Sequence, residues 1–224
     1  MSPDSIESLR RTYVTVDSLA QVTRGHLESI APYNYREVPF RIDESALVII
    51  DMQRYFLEPG YPLYTENGRA IVPTVRLLQQ GFRSRSRPVI LAAQRNLGKS
   101  IDRGAVLSRW WPGTPLEGSP DADIIRELEP LPDEKVISKR RYSAFFATDL
   151  ELTLRTMGVS QIVVAGLFTN VCVEATVRDA FMRDFLPFIP ADACASLNEE
   201  LHLGALRTMA LWYAKILMAQ DLLP

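Results

Sequence analysis

The chain has 224 residues, 47% hydrophobic and 23% charged, the profile of one globular domain with an ample core. Its 25 basic and 27 acidic side chains leave a formal charge of −2, which gives no electrostatic reason to expect nucleic acid or an acidic membrane as partner. No run approaches the roughly 18 apolar residues of a membrane span, and Met1-Ser-Pro-Asp-Ser-Ile-Glu7 lacks a basic region followed by an apolar one, so cytoplasmic residence is expected.

Residues 1 to about 40 are polar and mixed. They read as an N-terminal helical extension with one or two helices between Ile6 and Ile30, leading into a domain over 41–224. Ala46-Leu-Val-Ile-Ile50 is a continuous apolar run, the mark of a strand covered on both faces of a parallel sheet. A helix-like stretch follows from Ala70 to Arg87, then a second strand over Pro88-Val-Ile-Leu-Ala-Ala93. Trp110 to Pro120 is rich in Pro and Gly and reads as a long loop, of the kind that often covers a site. Lys135-Val-Ile-Ser138 is a short third strand, and Asp149 to Met157 a helix stopped by Gly158. The fourth strand, Gln161-Ile-Val-Val-Ala165, is expected to break at Gly166, before a helix from about Val171 to Arg183 that Thr169 or Asn170 can cap. Leu186-Pro-Phe-Ile189 reads as a fifth strand, Leu197 to about Trp212 as a helix, and Lys215-Ile-Leu-Met218 as a sixth strand. This alternation predicts an α/β fold: a three-layer, doubly wound sheet of about six mostly parallel strands with helices on both faces.

In such folds ligands bind beyond the carboxyl ends of the strands. Asp51 follows the first strand, Lys139 the third and Cys172 the fourth. Each has an ordinary reading by itself: a turn carboxylate, part of a solvated Lys139-Arg-Arg cluster, and a small core residue. Together they offer a base, a cation and a nucleophile at one sheet edge. A cysteine in the first turn of a helix is expected to favour its thiolate, through free backbone N–H groups and the helix dipole, with Lys139 adding to the effect. Two histidines, His26 and His202, make a histidine-rich metal site or a Ser-His-Asp triad improbable; both read as surface or packing residues. Cys194 reads as a buried small residue and Glu174 as a surface or ion-pairing one. No cofactor is expected.

Three separated segments carry a family likeness: Val48-Ile-Ile-Asp-Met-Gln53, Lys139-Arg-Arg-Tyr-Ser-Ala-Phe-Phe146 and Gly166-Leu-Phe-Thr-Asn-Val-Cys-Val-Glu-Ala-Thr176. The chain resembles the isochorismatase-like hydrolase superfamily from about Asn34 to its end. That resemblance implies that Asp51, Lys139 and Cys172 are the Asp-Lys-Cys triad of the superfamily's amidohydrolases. It also implies a cis peptide between Leu167 and Phe168, aiming the backbone N–H groups of Phe168 and Cys172 at one point as an oxyanion hole. The segment after Asp51 lacks the histidines that hold a metal in nicotinamidases, so no metal is expected. A homo-oligomer, dimer or tetramer, is also implied.

A second likeness runs through Asp51-Met-Gln-Arg-Tyr-Phe-Leu57, Gln94, Arg103-Gly104, Trp110-Trp-Pro-Gly113 and Tyr142-Ser-Ala-Phe-Phe146, and resembles true isochorismatases of siderophore and phenazine pathways. It implies that Gln94 and Arg103 hold a carboxylate-bearing substrate, an arginine fork being suited to two parallel hydrogen bonds. Those enzymes carry glycine where this chain has Cys172, and their aspartate acts as an acid on an enol ether. Two enzymatic readings follow. In one, Cys172 attacks the carbonyl of an amide, carbamoyl or ureido compound, Gln94 and Arg103 orient the substrate, and Trp110, Tyr142 and Phe168 exclude water. In the other, Asp51 protonates an enol-pyruvyl ether and Cys172 is a bystander. A catalytically silent binding or assembly module is the third alternative.

Overall fold

The computed structural model describes residues 6–111 and 113–223, with the backbone alone at 99 and 100. Residues 1–5 of the expected N-terminal extension, Pro112 of the Trp110–Gly113 motif and Pro224 lie outside the described residues.

The apolar run of the first strand has a covered face on either side. In β1, Ser45–Ile50, all six residues are buried. Because successive side chains alternate between faces, Leu47 and Ile49 pack into one layer with Ile71, Val75, Leu78 and Phe82 of a long helix, Glu66–Ser84. Ala46, Val48 and Ile50 pack into the opposite layer with Leu150, Leu154, Val177, Leu206 and Met209. Full burial of each large aliphatic side chain contributes about 1.5–3 kcal/mol, and the two layers clamp the sheet between them.

The sheet is parallel throughout. β1 pairs with β2, Val89–Gln94, on one side and with β4, Gln161–Leu167, on the other. β3, Lys135–Lys139, flanks β2, while β5, Leu186–Pro190, and β7, Lys215–Leu217, extend the other edge. The order is therefore β3-β2-β1-β4-β5-β7, with a two-residue β6, Cys194–Ala195, pairing with the end of β4. The chain winds outward from β1 to β3, then returns to the far side of β1. The switch between β1 and β4 opens a crevice at their carboxyl ends.

The doubly wound architecture agrees with the sequence reading, with four local differences. The sheet has seven strands, since two residues carry too little pattern to announce β6. β4 continues through Gly166 to Leu167, in register with Ile50 and Cys194. A short helix that the sequence did not announce, Gly104–Trp110, leads into the expected loop and ends on its first residue. The cysteine precedes its helix, Glu174–Phe181, in a π-helical turn over Thr169–Val173. Among the described N-terminal residues Ile6 and Glu7 are helical and Leu19–Ile30 form a helix of three turns, whose His26 meets Glu199 of the helix Glu199–Trp212 at 2.8 Å. Among the described residues no helix is long and apolar enough to cross a membrane.

Candidate active site

β1 ends at Ile50, and Asp51 turns out of the sheet with φ +54°, a left-handed conformation that aspartate tolerates better than most residues. Its N–H donates to the Ala92 carbonyl at 2.8 Å, so the turn stays attached to β2. One carboxylate oxygen, Oδ1, accepts the Gln94 backbone N–H at 2.9 Å; the other, Oδ2, lies 2.8 Å from Lys139 Nζ. Lys139 is the last residue of β3, two strands from β1 and so about 10 Å away. Its four-carbon side chain bridges the gap across the end of β2. Gln94 holds it there: Oε1 accepts from Lys139 Nζ at 3.0 Å, and Nε2 donates to Asn96 Oδ1 at 2.8 Å. Gln53 fixes Gln94 in turn, accepting its N–H at 2.8 Å and donating to its carbonyl at 3.0 Å.

Gly166 lets β4 approach β1 closely enough to bring the third residue in. Its φ is +119°, and a Cβ there would stand 2.0 Å from the Ile50 carbonyl oxygen. The next peptide but one, Leu167–Phe168, is cis. The Phe168 carbonyl then accepts both Val171 N–H at 2.9 Å and Val173 N–H at 3.2 Å, the wider ring of a π turn. Thr169 and Asn170 are engaged elsewhere than at the helix start: Thr169 Oγ1 meets His202 Nδ1 at 2.8 Å, and Asn170 Oδ1 accepts from Ser196 Oγ at 2.6 Å. From this turn the Cys172 thiol lies close enough to Asp51 and Lys139 for each to shift the others' protonation. The three candidates meet.

Their electrostatics differ from expectation. Burial pushes the Asp51 carboxyl above its ordinary range, against the opposing pull of Lys139. Burial alone would lower Lys139, but the charges of Asp51 and Cys172 outweigh it, and the ammonium is held beyond its usual range. Cys172 is raised, first by burial and then by the Asp51 charge, and Lys139 does not compensate. This balance favours the neutral thiol over the thiolate expected from sequence. Burial and the Asp51 charge therefore outweigh whatever Lys139 and the helix N-terminus beyond Val173 contribute toward ionising it.

A cavity of about 560 Å³ opens onto Asp51 and Cys172, with Phe56, Trp110, Trp111, Tyr142 and Phe168 as aromatic walls. Trp111 stacks on Tyr142 with ring centroids 6.5 Å apart, and Phe56 meets Phe168 edge-on at 5.5 Å. Glu174 and Arg178, one helical turn apart, also line it and pair at 2.6 Å. Of the expected substrate contacts, Trp110, Tyr142 and Phe168 line this cavity, whereas Gln94 and Arg103 do not. Gln94 is fully buried with its amide engaged at both ends. Arg103 Nη2 donates to the Trp111 carbonyl at 2.7 Å, behind the aromatic wall.

The sequence reading missed Gln53, Asn96, Trp111, Glu174 and Arg178 as participants. A glutamine two residues beyond a fully apolar strand, and a second tryptophan beside Trp110, were the available signals. Glu174 and Arg178 differ little in sequence from any exposed ion pair four residues apart. Among the described residues, no group of three or more His, Cys, Asp or Glu side chains is disposed to hold a metal ion.

A family profile, the Isochorismatase domain, matches residues 45–221. Enterobactin synthase component B of Escherichia coli (strain K12) is 32% identical over 197 residues, covering 86% of this chain and 67% of that protein. Nicotinamidase 3 of Arabidopsis thaliana is 34% identical over 174 residues, covering 76% of this chain and 82% of that protein. The crystal structure of a cysteine hydrolase from Pseudomonas syringae pv. phaseolicola superposes with a TM-score of 0.80 at 27% identity, covering 84% of this chain and 94% of that one. With the profile spanning most of its length, the chain belongs to the isochorismatase family and is a hydrolase of the isochorismatase-like superfamily.

Proposed function

We propose that this hydrolase cleaves a C–N bond of a small amide, carbamoyl or ureido compound through a thioacyl intermediate on Cys172. One observation carries the reading: the thiol at the cavity wall sits beside a buried carboxylate and a buried ammonium that pair with each other at 2.8 Å. Asp51 takes the thiol proton as sulfur attacks the carbonyl carbon, and the carbonyl π pair moves to oxygen. The backbone N–H groups of Phe168 and Cys172 are the donors assigned to that oxyanion. As the tetrahedral centre collapses, the C–N bond breaks and Asp51 returns its proton to the leaving nitrogen. Water then enters, Asp51 removes its proton, the oxygen attacks the thioester carbonyl, and the C–S bond breaks. The departing sulfur recovers the proton from Asp51.

The raised carboxyl of Asp51 suits this cycle, since a stronger base accepts the thiol proton more readily. Lys139 stays protonated and lowers the energy of each anion as it forms. Gln94 and Arg103, given to the substrate in either reading, do not line the cavity, whereas Cys172 does, and the enol-ether reading leaves that thiol without a task.

Turnover of nicotinamide, biuret, ureidoacrylate, N-carbamoylsarcosine and isochorismate by the wild type, Cys172→Ala and Asp51→Asn tests the proposal. Both variants should lose about 10³-fold or more on a C–N substrate, and intact-mass analysis should trap an acyl adduct on the wild type alone. A Cys172→Ala protein that keeps most of its activity, with isochorismate as the substrate, would overturn it in favour of acid catalysis by Asp51.

A further inference from the structure

The family match begins at residue 45, yet residues from the preceding segment reach the catalytic cavity. Ile6 and Leu9 line it together with Leu63 and Leu197. Together they add four aliphatic side chains to a wall whose other apolar members are mainly aromatic.

The segment is fastened along its length. The Leu9 carbonyl accepts from Asn198 Nδ2 at 2.8 Å, and Arg10 Nη2 donates to the Pro62 carbonyl at 2.8 Å. Arg11 N–H donates to the Leu197 carbonyl at 2.9 Å, and the Arg11 carbonyl accepts from Asn67 Nδ2 at 3.0 Å. Asn67 Oδ1 accepts Tyr13 N–H at 3.0 Å. Val14 is buried in the main hydrophobic layer. The contacts at Pro62 and Leu197 bring the strap against the neighbours of Leu63 and Leu197 that share the corner. A second tie reaches the nucleophile's own turn: Ser196 donates its N–H to Tyr13 Oη at 3.3 Å and its hydroxyl to Asn170 at 2.6 Å.

We propose that residues 6–14 form a built wall of the substrate site, and that Leu9, with Ile6, determines specificity by packing against an aliphatic substituent of the substrate. This deepens the C–N hydrolase reading and rests on it for the identity of the bond cleaved. The substrate class it names is an amide or ureido compound carrying a short apolar group, seated at the corner made by Ile6, Leu9, Leu63 and Leu197. Leu9 is 45% exposed, so its other face is in solvent and substitutions there leave the core intact.

The test reads wall position through Cys172. N-methylmaleimide and N-cyclohexylmaleimide are reacted with the wild type, Leu9→Ala and Leu9→Trp at about pH 8.5, mildly alkaline because burial disfavours the thiolate. Peptide mass spectrometry separates labelling at Cys172 from that at Cys194. Removing the leucine side chain should raise the cyclohexyl-to-methyl rate ratio about tenfold, the scale expected when a ring too large for a corner built for a short group no longer overpacks it. Leu9→Trp should lower the ratio, and melting temperatures of all three proteins should stay within a few degrees. A merely structural segment would shift the melting temperature without opposite changes in size selectivity. The same ratio in all three forms, including no labelling in any, would overturn the wall. Because labelling needs no turnover, that outcome is separable from failure of the thioacyl mechanism, which shows as activity surviving in Cys172→Ala.

Discussion

Replacing Lys139 with methionine removes the ammonium while keeping an unbranched side chain of similar reach. Asp51, 1% exposed, then loses its partner at 2.8 Å, and Gln94 Oε1 loses the donor at 3.0 Å. Removing one member of a buried ion pair costs about 3–5 kcal/mol. An orphaned buried amide oxygen adds about 1–3 kcal/mol. The sum approaches the whole stability of a typical domain, roughly 5–15 kcal/mol. Asp51 recovers part of the loss by taking a proton, since its carboxyl is already raised by burial and Lys139 no longer opposes that rise.

A carboxyl with a folded pKa above its unfolded value binds more protons in the folded state, so stability falls as pH rises between the two values. In Lys139→Met that window widens. The deficit relative to the wild type is therefore small near the ordinary carboxylate range, about pH 4, and complete only above the raised folded value. Urea denaturation at about pH 4.5 and 7.5 measures both ends, and the neutral-pH loss should lower the melting temperature by roughly 10 °C or more. Asp51→Asn combined with Lys139→Met should recover most of the stability, because neither charge is then left alone. A single variant within about 1 kcal/mol of the wild type at neutral pH, or an equal deficit at both pH values, would refute the reasoning.

Two further outcomes are expected. Gly166→Ala places a methyl 2.0 Å from the Ile50 carbonyl on a backbone with φ +119°, and neither strand can yield inside a sheet buried on both faces. The loss should exceed about 4 kcal/mol, and an alanine variant with near-native yield and a cooperative melt would contradict it. The His202 imidazole, packed against His26 and Tyr13, is pulled down to about 3 by burial and by the neighbouring His26. The folded state then binds fewer protons than the unfolded one below about pH 6.5, so stability should drop as pH falls from 6.5 toward 3, by up to about 1.4 kcal/mol per pH unit. His202→Gln should flatten that slope in a series of melting temperatures against pH, and an unchanged slope would exclude His202 as its source.

The strands were legible because fully buried parallel strands are written as local apolar runs: Ala46–Ile50, Val89–Ala93 and Gln161–Ala165 each announce themselves within five residues. The positions of Asp51, Lys139 and Cys172 at strand ends were legible for the same reason. Gly166 misled, since a glycine after an apolar run signals a stop, whereas here it permits a close approach between strands and the pairing continues. Gln94 misled in the opposite way. The resemblance to isochorismatases implied that it holds substrate, but its amide is engaged by Lys139 and Asn96.

From sequence alone came the winding of the sheet and the three residues set at its edge, because periodicity and chain order are local properties. Only the folded molecule decided that Lys139 crosses β2 to reach Asp51, that burial disfavours the Cys172 thiolate, and that Leu9 lines the cavity onto which Cys172 opens. Each depends on which groups exclude water from which others, and that is set by packing between segments far apart in the chain.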